Sequence, residues 1–106
     1  TEFECQGLEL DWTLVCWGGD LIPTDNGSGW LPRYLYNGGK KGPHWRTEKN
    51  PTEQVFIRNK YRVLLTRARF GTVIYVPPGN PTDQTRSPDE FESVIDYLFR
   101  CGLTPV

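Results

Sequence analysis

A chain of 106 residues makes one small domain, of a size that buries only about two-thirds of its unfolded surface, so its core must be small. Twelve Lys and Arg against thirteen Asp and Glu give a net charge of −1, which excludes the global basic field of a stand-alone nucleic-acid binder and confines any such contact to a local patch. No apolar run approaches the roughly 18 residues of a membrane span and no charged-then-apolar leader is present, so the expectation is a cytoplasmic chain with no membrane partner.

The first predicted element is a strand over residues 12–17, Trp12-Thr13-Leu14-Val15-Cys16-Trp17. Its nearly continuous apolar character is that of a strand covered on both faces, and Gly18-Gly19 stops it. Residues 18–50 read as a long loop insertion holding Trp30, Tyr34, Tyr36 and Trp45, the single histidine His44, and Arg33, Lys40, Lys41 and Arg46. Two readings of this stretch stand side by side. Its aromatics and cations can stack bases and neutralise phosphates, as single-strand binding surfaces do. Alternatively the aromatics anchor the segment to the sheet as a short hairpin around Asn37-Gly38-Gly39. His44 has no partner at ligand spacing and reads as structural or solvent-exposed.

A helix follows, with Asn50 as its cap, Pro51 at its first position and Glu53 placed to reach back to the cap's amide. Ile57, Tyr61, Leu64, Leu65 and Ala68 then fall on one face at helical spacing, and Arg58, Arg62 and Arg69 on another. Gly71 is expected to end the turn before a second apolar strand over residues 72–76, which Pro77-Pro78-Gly79 terminates. Ser87-Pro88-Asp89-Glu90 repeats the helix-start signal, and Phe91, Val94, Ile95 and Leu98 form the stripe of a last helix closed by Gly102. Strands alternating with helices predict an α/β unit with parallel pairing and a crossover helix. The odd set Cys5, Cys16 and Cys101 lacks metal-ligand spacing, so reduced, buried thiols are expected.

Two runs acquire meaning together: Gln6-Gly7-Leu8-Glu9, entering the first strand, and Tyr61-Arg62-Val63-Leu64-Leu65-Thr66-Arg67-Ala68-Arg69, preceding the second. In this order and context they resemble motifs V and VI of superfamily-1 helicases, in the flavour of P-loop ATPases allied to Schlafen-type helicase domains. The resemblance covers residues 1 to about 77 and implies the second half of a partial RecA-like (P-loop NTPase) domain. It implies ATP and Mg as cofactors of an intact parent, an N-terminal P-loop domain of the same protein as partner, and DNA or RNA as its track. Because the chain lacks methionine and opens at Thr1 on the first position of motif V, residues 1–106 are expected to be a single-domain fragment.

Carried over residue by residue, the resemblance makes Arg67 the catalytic arginine finger and places Gly7 and Glu9 with Arg67 at the nucleotide. Thr1 and Gln6 would couple that site to nucleic acid. Phe3 stands where many such helicases carry a histidine, and no G-x-x-x-x-G-K-[ST] run occurs in the chain, so the fragment alone is expected to be inactive. Arg67 also has a plainer reading, as a side chain snorkelling beside the core. The second hypothesis is accordingly a non-catalytic RecA-like scaffold or binding module. The missing half of the sheet predicts that the exposed edge and apolar face are covered by a second copy, as a homodimer, or by the long loop.

Overall fold

The computed structural model describes residues 10–105. In chain order the elements are strands β1 (Leu10–Cys16), β2 (Leu21–Pro23), β3 (Trp30–Asn37) and β4 (Pro43–Thr47), helix α1 (Pro51–Leu65), strand β5 (Ala68–Tyr75) and helix α2 (Pro88–Arg100). Strands β1 and β5 lie side by side in parallel, with Thr13 opposite Thr72, Leu14 opposite Val73 and Cys16 opposite Tyr75. This is the pairing expected from the two apolar runs. One extra residue of β5 is accommodated opposite Asp11, where the register shifts between Leu10 and Trp12.

The crossover helix starts as its sequence predicts. The Asn50 side chain accepts from the amides of Thr52 at 2.9 Å and Glu53 at 3.4 Å, and Pro51 takes the first helical position. The carboxylate that reaches the Asn50 amide is that of Glu48, at 3.1 Å, and not that of Glu53. Its end is a correction: α1 stops at Leu65, short of the Ala68 that helical spacing includes. The Thr66 hydroxyl donates to the carbonyls of Arg62 at 2.8 Å and Val63 at 3.3 Å, closing the last turn, and Ala68 is already committed to β5. Gly71 lies inside β5 and ends nothing. The Trp12 ring lies across it so closely that a Cβ there would fall 2.2 Å from the ring.

Residues 18–50 are not a loop. They form a separate antiparallel sheet in the order β2-β3-β4, with Leu21 opposite Pro32, Tyr34 opposite Arg46 and Tyr36 opposite His44. The hairpin reading holds, since Asn37 pairs with Pro43 across the turn of residues 38–42.

The core gathers around Trp17, the residue after β1, with Leu21, Ile57, Tyr61, Val94 and Leu98 buried beside it. Its ring centroid lies 4.5 Å from that of Tyr61 and 5.3 Å from that of Trp30, which in turn lies 4.4 Å from Tyr97. Thus the core sits past the C-terminal end of the parallel pair. One face of that pair stays open: Trp12 is 67% exposed and Leu14 64%, with Val73 and Tyr75 exposed on the same face. The expectation that β1 is covered on both faces is overturned here, and the insertion forms its own sheet instead of a cover. Cys16 and Cys101 are free and exposed, against the expectation of burial; Cys5 lies outside the described residues.

Helix α2 begins at Pro88 after an extended Ser87, whose side chain makes no capping bond. It ends as predicted at Gly102, where φ is +100°; the Gly102 amide donates to the Phe99 carbonyl at 3.0 Å and the Leu103 amide to that of Leu98 at 3.2 Å. Among the described residues no helix is long and apolar enough to cross a membrane.

Candidate functional site at the entry edge of the parallel strands

Parallel strands are entered from the same edge, so the first residue of β1 lies beside the residues that lead into β5. The Leu10 amide donates to the Arg67 carbonyl at 2.9 Å. A residue that follows Glu9 directly is thereby joined to one from the middle of the chain. Thr1, Gln6, Gly7 and Glu9 themselves lie outside the described residues, as does Phe3. Of the five residues singled out from the sequence, Arg67 alone is described.

Arg67 stands in the two-residue connection between α1 and β5, half-buried. Its Nε donates to the Val63 carbonyl at 3.1 Å and an Nη to the Thr66 hydroxyl at 3.2 Å, so the guanidinium rests on the C-terminal end of α1. Cationic groups are favoured there by the helix dipole, and these bonds use two of the five N–H donors. The side chain borders a cavity of about 310 Å³ that Leu10, Trp12 and Leu14 line with Leu64. Arg69, read from the sequence as part of a helical basic face, is instead on β5 and pairs with Asp11 at 2.9 Å, both partners more than half exposed. Such a pair contributes at most about 1 kcal/mol. Arg58 remains on the exposed side of α1 and donates to the Trp30 carbonyl at 3.2 Å.

At the opposite end of β1, sequence reading missed a polar cluster. Asp20 accepts from both the Tyr61 hydroxyl and the Lys60 ammonium, while the Tyr61 oxygen accepts from the Gly18 amide at 3.1 Å. Burial pushes the Tyr61 hydroxyl well above its ordinary pKa, the negative charge of Asp20 and its hydrogen bond add to the rise, and the Gly18 amide opposes it. The available signal was a polar ring end on a helix stripe, which when buried must find a partner.

Arg33, one of the cations that the first of the two readings of the insertion sets against phosphates, is structural. It is buried, donates through Nε to the Gly19 carbonyl at 2.9 Å, and grips Glu90 with two bonds of 2.7 and 3.2 Å. Glu90 stands at the third position of α2, where a capping-box carboxylate would reach back to the Ser87 amide, and its carboxylate is taken by Arg33 instead. Trp45 completes this junction: its Nε1 donates to the Thr85 carbonyl at 2.8 Å and its ring packs against Gly19, where a Cβ would come within 2.6 Å. Among the described residues no three His, Cys, Asp or Glu side chains gather as a metal site.

An α/β unit whose parallel strands are joined by a crossover helix is compatible with a partial RecA-like fold. Residues 1–78 match the family model described as Schlafen group 3, DNA/RNA helicase domain, and the chain belongs to that family. No curated protein and no solved structure matches it.

Proposed function

We propose that this chain supplies motif V and the motif VI arginine of a helicase-type NTPase, completing from its second RecA-like unit a nucleotide site whose phosphate-binding loop belongs to an N-terminal P-loop domain. The observation that supports this reading is the Leu10 to Arg67 hydrogen bond, which brings the strand entered from Gly7-Leu8-Glu9 against Thr66-Arg67-Ala68 at one edge. In this reading Arg67 neutralises charge that develops on the transferring phosphoryl group, and Gly7 lets the backbone approach the nucleotide near Glu9. Thr1 and Gln6 link the site to a DNA or RNA strand. ATP with Mg would supply the phosphoryl group, and Arg67 fits its charge. The donor set described here offers no metal cluster, so the reading leaves Mg to the P-loop domain.

A second reading, a non-catalytic RecA-like scaffold, is favoured by one observation: both described bonds of the Arg67 guanidinium cap its own helix. One experiment separates the two. In the protein that joins this chain to its P-loop domain, Arg67→Ala is expected to leave nucleotide binding within a few-fold and lower the hydrolysis rate by about a thousandfold or more. Arg67→Lys is not expected to rescue it, since a point charge does not reproduce the planar fork. Arg62→Ala, an exposed position of the same helix, serves as the control. Normal hydrolysis by the Arg67→Ala protein, with only a lower Tm, would leave the scaffold reading in place.

A further inference from the structure

The outer face of the insertion hairpin has no part in the core or in the entry edge. Tyr34 and Arg46 stand opposite each other on β3 and β4, as do Tyr36 and His44, and register partners share a face. The Arg46 guanidinium carbon lies 3.5 Å from the centroid of the Tyr36 ring, and its Nε is 3.3 Å from His44 Nε2. The His44 ring meets Tyr36 edge-on at 5.4 Å. Beside this stack, Tyr34 keeps 39% of its surface exposed and borders a groove of about 450 Å³ together with Arg46, Thr47, Glu48 and Lys49.

Charge and ring chemistry together define what the groove suits. Lys40, Lys41, Arg46 and Lys49 fall within ten residues that contain one acid, Glu48, in a chain whose net charge is −1. That acid is turned to the cap of α1, where its Oε1 accepts from the Asn50 amide. The exposed Tyr34 ring and the exposed Arg46 guanidinium, already held over the Tyr36 ring, are two planar groups on one strand pair. Holding Arg46 in advance lowers the ordering cost of any ligand that stacks on it. An unpaired base presents a π-face to such planes while its phosphates meet the lysines; a duplex keeps its bases stacked internally.

We propose that the β3–β4 outer face is a binding platform for single-stranded nucleic acid, in which Tyr34 and Arg46 stack bases and Lys49, with Lys40 and Lys41, neutralises phosphates. This platform is attached past the C-terminal end of β1, whereas Arg67 stands at its N-terminal end, about 20 Å away along a seven-residue strand. It is therefore independent of the nucleotide-site reading.

The test is fluorescence anisotropy of the full chain, without nucleotide, against labelled oligouridylate and oligothymidylate of about ten nucleotides, with a duplex of the same length and polyglutamate as competitors. Binding of either single strand, with Tyr34→Ala and Arg46→Ala each weakening it about tenfold, supports the proposal. Tyr34→Phe should retain affinity within about twofold because the ring remains, which separates stacking from misfolding. Lys49→Ala should lower the salt slope by about one. Arg62→Ala, at an exposed position of α1, should leave all of this unchanged. Equal affinity for duplex or polyglutamate, single-strand binding indifferent to Tyr34→Ala and Arg46→Ala together, or no binding at all would overturn it.

Discussion

The two sheets of this chain invert the usual relation between apolar sequence and burial. The parallel pair holds the most apolar runs, yet Trp12, Leu14, Val73 and Tyr75 leave one of its faces open. By contrast the antiparallel insertion, rich in glycine, cations and short strands, is fixed by a buried arginine and a tryptophan seated on backbone. Apolar content records what a strand is able to bury, while anchoring depends on which polar groups find partners across long sequence separations.

The largest effect is expected where the insertion meets α2. Arg33→Ala removes one partner of a largely buried, doubly hydrogen-bonded ion pair and leaves Glu90 and the Gly19 carbonyl without it. A loss of about 3 kcal/mol in unfolding free energy is expected by denaturant titration. A loss below about 1 kcal/mol would mean that the apolar contacts of Trp30 and Trp45 hold the insertion without it.

Tyr61→Phe comes next, at about 2 kcal/mol, because the Asp20 carboxylate loses a donor and the Gly18 amide its acceptor while the ring's packing on Trp17 is kept. Its pH signature has a definite sign. The folded state holds the Tyr61 proton more tightly than the unfolded chain, so this stability is complete below the ordinary tyrosine pKa of about 10 and is lost as pH rises beyond it. Tm should therefore fall above about pH 10 in the wild type and fall less steeply in Tyr61→Phe. Parallel alkaline limbs for the two proteins would contradict this.

Smallest of all should be Leu14→Asp on the open face, within about 0.5 kcal/mol for the isolated chain, since the side chain is mostly solvated already. What it should change is association. Large exposed apolar patches mark contact sites, and sedimentation of the wild type as a dimer with Leu14→Asp as a monomer would identify a second copy as the cover. Unfolding of Leu14→Asp comparable to Arg33→Ala would erase the distinction between the two sheets.

The parallel pair, its crossover helix and both helix starts were legible because each follows from local chemistry: two apolar runs, an Asn50-Pro51 cap and a Ser87-Pro88 entry. The end of α1 was not, since helical spacing continues through Ala68 and only the competing pairing with Leu10 assigns that residue to a strand. The insertion was legible at its turn, from Asn37-Gly38-Gly39, and illegible elsewhere. Pro32, which in sequence argues against a strand, lies within β3, and the group that fixes the sheet, Glu90, is 57 positions away from Arg33. The Schlafen-type resemblance was readable from two short runs, and the family match spans the same region. Arg67 could be placed in order along the chain but not in space, because its neighbour Leu10 comes from a strand nearly sixty residues earlier. Tyr61 looked like one more position of an apolar stripe until Asp20 appeared beside its hydroxyl.

The register of β1 against β5 also dictates an order of assembly. Closing a free segment of about sixty residues costs about 3.5 kcal/mol in chain entropy, against about 1.5 kcal/mol for the five-residue turn of the hairpin. Local closure is therefore rewarded first and the parallel pairing last. Once the hairpin has formed and docked on Trp17, the distance that the chain must still span between Cys16 and α1 is short. The insertion thus acts as a splint for the strand pair, and among the described residues the pairing of Leu10 with Arg67 carries the larger of these two closure costs.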